Sequence, residues 1–179
     1  MEELILVDEK DNEIGSGEKM DVHVKGKLHR AFSLFMYDPE SGEMLIQKRA
    51  KGKYHSGGLW TNSCCSHPRR GESLEEAVRR RVEEELGIVS EDKNIKWTDL
   101  QEVGSFEYCY HFETCTEHEI DHVFYLPVNS CLTLRPEEME IESLQWIPLD
   151  ELCKWVEREP EAFTVWFLPA FKMVREQLT

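Results

Sequence analysis

The sequence predicts a single α+β domain spanning residues 1–179, with a mixed β-sheet flanked by helices. Three observations carry this. Apolar runs separated by turn residues fill the first third, a strongly signalled amphipathic helix follows, and further β-like runs lead into two apolar helices near the end. No internal repeat or Pro/Gly/Ser-rich linker divides the chain, and its length fits one core.

Leu4 to Val7 reads as a strand entering the polar turn Asp8-Glu-Lys-Asp-Asn12. Leu28 to Tyr37 is a second strand, and Asp38-Pro-Glu-Ser-Gly42 turns it back into Met44 to Gln47 as a hairpin. Ser73-Leu-Glu-Glu76 is a capping box. Leu74, Ala77, Val78, Val82 and Leu86 then recur at helical spacing until Gly87 stops the helix. Val103 to Tyr110, Asp121 to Val128 and Ser143 to Ile147 are the later strands, and Asp150 to Glu157 and Phe163 to Leu178 the last helices. Pro169 kinks or divides the final one.

Lys and Arg number 21 against 36 Asp and Glu, a formal net charge of −15. That balance argues against nucleic-acid or anionic-membrane partners, since both need a basic face. An anionic ligand would bind only through a concentrated basic patch or a bound metal. Met1 to Lys10 lacks a signal-peptide pattern, and Phe163 to Phe171 is too short for a membrane span. The expected setting is the cytoplasm, with the six cysteines reduced.

The densest polar segment is Trp60 to His67, read as a loop ahead of the capped helix. Cys64 and Cys65 within it read either as small buried apolar groups or as a thiol activated by His67 and nearby arginines. Glu83, Glu84 and Glu85 spread over about 200° of helix surface, so one or two at most share a site. Their plain reading is a solvated face paired to Arg79, Arg80 and Arg81; the sharper one is a cation ligand beside a phosphate-binding arginine. Glu117 and Glu119, just before the Asp121 strand, project to one side of extended chain. With His23, His29 and His67 they could form an N₃O₂ site for Zn²⁺, Mn²⁺ or Mg²⁺, although a lone histidine is more often a surface or satisfied core residue than a ligand. Lys19, Arg49, Lys53 and Arg81 are the candidate phosphate contacts. Trp166 is either core packing of the last helix or a ring whose negative face steadies a cation.

Together, Leu28-His-Arg-Ala-Phe-Ser33, Trp60-Thr-Asn-Ser-Cys-Cys-Ser-His-Pro68, Arg80-Arg-Val-Glu-Glu-Glu-Leu-Gly87, Glu117-His-Glu119 and Ala162-Phe-Thr-Val-Trp166 resemble type 1 isopentenyl diphosphate isomerase, of the Nudix superfamily. The resemblance runs from about Lys19 to Trp166. It implies a Nudix-like mixed sheet and interconversion of isopentenyl and dimethylallyl diphosphate through a tertiary carbocation, feeding isoprenoid biosynthesis. By position it implies a divalent metal (Mn, Mg or Zn) on His23, His29, His67, Glu117 and Glu119, with Cys65 and Glu119 as the proton-transfer groups. Tyr108 matches the supporting hydroxyl, with Tyr110 as alternative, and Trp166 matches the ring facing the cation. Lys19, Arg49, Lys53 and Arg81 match diphosphate contacts, and Glu85 matches the ligand of a second Mg²⁺ on the substrate. The implied partner is a small isoprenoid diphosphate, with no nucleic acid or membrane, and a monomer or weak homodimer is expected. Against the general Nudix pattern, Ser66 replaces the first glycine and Arg81 stands where hydrolases have a glutamate, while Glu72, Arg80, Glu84, Glu85 and Gly87 are kept. That replacement argues against pyrophosphate hydrolysis.

Overall fold

A computed structural model describes residues 2–89 and 91–178. In chain order it has strands β1 (Glu3–Val7) and β2 (Glu13–Glu18), helix α1 (Lys19–Lys25), and strands β3 (His29–Asp38), β4 (Glu43–Arg49), β5 (Trp60–Thr61) and β6 (Cys64–Ser66). Helix α2 (Leu74–Leu86), strands β7 (Gln101–His111), β8 (Thr116–Pro127) and β9 (Ile141–Pro148), and helices α3 (Leu149–Arg158) and α4 (Phe167–Leu178) complete it. The curled mixed sheet with flanking helices is the α+β arrangement expected.

β3 organises the sheet. One edge pairs in parallel with β8 over nearly its whole length, His29 opposite Glu119 through Tyr37 opposite Pro127. Its other edge is shared antiparallel among β1, β6 and β4. β7 extends the sheet beyond β8, and β9 beyond β4.

Both faces are covered, so β3 reads as a nearly continuous apolar run rather than an alternation. Phe32, Leu34 and Met36 pack with Ala77, Val78, Val82 and Leu86 of α2. Phe35 faces the other way, against Phe167 and Phe171 of α4. The α2 termini are as the sequence predicts. Ser73 Oγ accepts from the Glu76 amide while Glu76 reaches back to the Ser73 amide. Gly87 closes the helix at φ 63°, where an added Cβ would lie 2.4 Å from the Arg135 carbonyl, so both conformation and space require glycine.

Three readings are corrected, and one element is new. Trp60 to His67 is not simply a loop: β5 pairs with β4, and β6 with the middle of β3. Glu117 and Glu119 lie inside β8, not before it. The seven-residue α1 was not foreseen; it is too short to signal or sustain itself alone. The last helix starts at Phe167, so Trp166 precedes it. The amide of Thr164 donates to the Trp60 carbonyl (2.9 Å), which holds that segment extended. Pro169 then sits in the first turn, where its missing N–H costs nothing.

Candidate active site

The start of β3, the end of α1, β6 and the first half of β8 meet on one side of the sheet. Parallel register sets His29 beside Glu119 and Ala31 beside Asp121, and antiparallel register sets Ser33 beside Cys65. Alternation therefore places His29, Ser33, Glu117, Glu119, Asp121 and Cys65 on a single face. All of these but His29 line a cleft of about 570 Å³, open mouth included, joined by Tyr108 from β7, Trp166, and the basic residues Lys19, Arg49, Lys53 and Arg81.

At one end, His23, His29, His67, Glu117 and Glu119 each bring a ligand atom within 4.8 Å of all the others, and all five residues are buried. His23 Nδ1 lies 2.6 Å from the Lys19 carbonyl and His29 Nδ1 2.8 Å from that of Lys27. Those carbonyls fix the rings with Nε2 turned inward, where it can act as a ligand. Nε2 of His23 lies 3.3 Å from Glu117, and Nε2 of His29 and His67 lie 3.3 and 2.8 Å from Glu119. His67 Nδ1 is buried without a hydrogen-bond partner, and the buried His29 Nε2 and Glu117 Oε1 face only neighbouring carboxylate and imidazole groups. Three buried imidazoles and two buried carboxylates packed this closely, with His67 Nδ1 unpaired, fit a divalent cation.

The electrostatics differ from ligand to ligand. Burial and the adjacent His29 push His67 well below its ordinary value, into the neutral ligand form. Burial opposes charge on His23, but the Glu117 carboxylate outweighs it and raises that ring. Burial likewise opposes charge on Glu119, but hydrogen bonds shared with Glu117, His29 and Tyr108 hold its carboxyl at about 2. The bond from Tyr108 Oη to Glu119 Oε2 is 2.7 Å. Of the two tyrosines it is thus Tyr108 that reaches the carboxylate, while Tyr110 packs against Phe112 and is 45 % exposed.

Burial drives the Cys65 thiol up to about 12, only partly offset by Arg49, whose Nη1 lies 3.9 Å from Sγ. The resting group is a protonated thiol. Cys64 turns the other way into the core toward Glu85. The six cysteines are all unpaired. Trp166 is 4 % exposed, and the Arg49 guanidinium stands 5.3 Å over its ring.

On α2, Arg81 pairs with Glu84 (2.8 Å) and with Glu85, and Arg80 with Glu72 (2.6 Å). Of the glutamate run only Glu85 is buried and in the cleft; Glu83 and Glu84 are exposed.

Sequence reasoning missed His55, Asp121 and Glu140. His55 Nε2 lies 2.6 Å from Glu117 Oε1, and its ring stacks on Phe112 and meets Trp166 edge-on. Asp121 accepts from Ser33 Oγ at 2.8 Å and is otherwise unpartnered at Oδ1. Two residues after Glu119 in the same strand, Asp121 was open to detection by alternation; His55 and Glu140 carry no such signal.

Fold and site together define a Nudix-type domain, and the family model of the NUDIX domain matches residues 27–167. A crystal structure from Deinococcus radiodurans superposes with a TM-score of 0.68 at 21 % identity, covering 88 % of this chain and 90 % of that one. A MutT NUDIX hydrolase from Burkholderia pseudomallei gives 0.63 at 22 % identity, over 83 % and 98 %. At such identities these support the fold alone. Sequence relatives are more specific. The isopentenyl-diphosphate Delta-isomerase of Burkholderia multivorans is 46 % identical over 93 % of this chain and 89 % of its own length. That of Serratia proteamaculans is 46 % identical over 96 % and 90 %. The chain belongs to the NUDIX family, in its isopentenyl-diphosphate Delta-isomerase branch. Among the described residues, no helix is long and apolar enough to cross a membrane.

Proposed function

We propose that this chain interconverts isopentenyl and dimethylallyl diphosphate, with Cys65 and Glu119 moving the protons. One observation carries the reading: a half-buried thiol, a buried carboxylate with its tyrosine, and a tryptophan face line one cleft together with four cations. A proton is added to the terminal methylene of the alkene, the positive charge settles on the tertiary carbon, and a proton leaves the neighbouring methylene. An unactivated alkene is a weak base, so the acid must be held close and the cation shielded.

Cys65 and Glu119 supply these two roles, exchanging them with the direction of reaction. Tyr108 orients the Glu119 carboxyl through its 2.7 Å bond. Trp166 offers its ring face to the cation, and bound substrate must displace the water that would quench it to an alcohol. Lys19, Arg49, Lys53 and Arg81 hold the diphosphate, giving binding energy away from the reacting carbons. His23, His29, His67, Glu117 and Glu119 would hold a divalent cation (Mn, Mg or Zn), and Glu85 would be the protein's ligand to a Mg²⁺ carried in with the diphosphate. A cation at the histidine site would fix the Glu119 carboxyl and tune its acidity. The product is a precursor for isoprenoid biosynthesis.

The test is proton NMR of the purified, metal-loaded protein with isopentenyl diphosphate and Mg²⁺ in D₂O, beside Cys65→Ala. Dimethylallyl diphosphate with deuterium incorporated, absent in the variant, is the expected result. An unchanged alkene with released phosphate or pyrophosphate would overturn the reading in favour of hydrolysis.

A further inference from the structure

We infer that Glu140 is a resident counter-anion of the diphosphate subsite, a carboxylate that the substrate must displace from Lys53 and Arg81. The inference rests on the placement of the diphosphate proposed above. Glu140 stands just ahead of β9 in the wall of the cleft. Its two oxygens are divided between cations from different elements: Oε2 lies 2.5 Å from Lys53 Nζ, and Oε1 lies 3.7 Å from Arg81 Nη2.

The backbone makes this placement rigid. The Glu140 carbonyl accepts from the Ala50 amide at 2.9 Å, tying it to the loop that carries Lys53. Its amide donates to the Glu137 carbonyl, and the Glu137 amide donates to the Glu85 carbonyl on α2, both at 2.9 Å. Glu140 is thereby anchored to both structures whose cations it neutralises. Its carboxyl is held charged: burial opposes ionisation, and Lys53 and Arg81 outweigh it.

Of the other basic groups here, Lys19 is matched as well, while Arg49 Nε is buried and unpaired. Lys19 pairs with Glu2 at 3.2 Å, and Arg81 also with Glu85. Cations gathered in one cleft repel each other, and resident carboxylates relieve that repulsion before substrate arrives. The consequence is selectivity by charge. A singly charged anion gains little over the carboxylate it replaces, whereas a diphosphate engages several cations at once. Exchange of one anion for another also keeps ground-state binding moderate, so the product is not held too tightly.

The probe is inorganic pyrophosphate, titrated calorimetrically with Mg²⁺ into the metal-loaded protein at fixed ionic strength. Glu140→Gln should tighten its dissociation constant about tenfold, and Glu140→Asp, which keeps the charge on a shorter arm, should tighten it less. Unchanged or weaker binding in Glu140→Gln would overturn the inference, weaker binding being the behaviour of a Mg²⁺ ligand. So would Glu140→Asp binding as tightly as Glu140→Gln. Lys53→Ala separates the two layers. If it leaves pyrophosphate affinity unchanged, the diphosphate placement itself fails. If it weakens binding while Glu140→Gln has no effect, only the counter-anion role fails.

Discussion

One face of β3 and β8 holds two opposite interiors. Along its first half run His29, Ser33, Glu119 and Asp121, with Cys65 from the neighbouring strand; along its second run Phe35 and Val123, under Phe167 and Phe171. Both halves are buried and share a backbone ladder, yet one is filled by apolar side chains and the other by charges held around a cleft. The apolar half stabilises the fold by removing surface from water. The polar half carries buried groups with unmatched atoms, which is costly without a ligand. The lesson is a division of labour: the packed half positions the strand, and the strand carries a site that could not stabilise itself.

The contrast can be broken at several points, from the largest expected effect downward. Glu119→Gln should lower isomerase turnover by about 10²- to 10⁴-fold, the usual weight of one proton-transfer group, while circular dichroism shows the fold retained. A variant that unfolds, or keeps full turnover, would erase the distinction. Phe35→Ala, in the apolar half, should do the reverse: about 3–5 kcal/mol of stability lost in urea denaturation, with turnover per folded molecule little changed.

Metal removal comes next. Chelation should destabilise the protein by up to about 4 kcal/mol when the cation had been present near 1,000 times its dissociation constant, and re-adding Mn²⁺ should restore the melting temperature. Glu117→Gln should abolish that chelator response, whereas Phe35→Ala should keep it; equal responses in both would place the cation elsewhere.

The smallest effect concerns Asp38, a buried carboxylate at the far end of β3 that serves as a control for Glu119. Burial opposes its charge, but hydrogen bonds from Ser130, Glu40 and Ser41 outweigh this and hold it at about 2. Because the folded value is depressed, its stabilisation is present above the ordinary carboxylate range near 4 and disappears as pH falls toward 2. Asp38→Asn should therefore cost about 2 kcal/mol near pH 6 and little near pH 2, read from urea midpoints across that range. A loss independent of pH would mean that packing, not charge, is what Asp38 contributes.

Some of this molecule was legible because its causes are local. The α2 capping box, its helical periodicity and Gly87 all act within one turn of their own residues, so Ser73 to Gly87 could be read directly. The β3–β4 hairpin was readable from Asp38 to Gly42 for the same reason. β6 was not, since its three residues make their ladder with β3, some thirty positions away in sequence. Nor was the boundary at Trp166, which a hydrogen bond to Trp60 decides. The site divides in the same way. Matching motifs named the histidines, Glu117, Glu119, Cys65 and Trp166 residue by residue, but not their meeting.

By itself, then, the sequence determined which side chains the domain possesses and where local hydrogen bonds begin and end its main helix and first hairpin. Tertiary structure alone decided that α1, β3, β6 and β8 bring five ligands within 4.8 Å, that Tyr108 rather than Tyr110 reaches Glu119, and that His55 and Glu140 complete the cleft. The reason is physical. A capped turn is stabilised by neighbours in sequence, whereas parallel register and the approach of distant strands follow from burying both faces of one sheet at once.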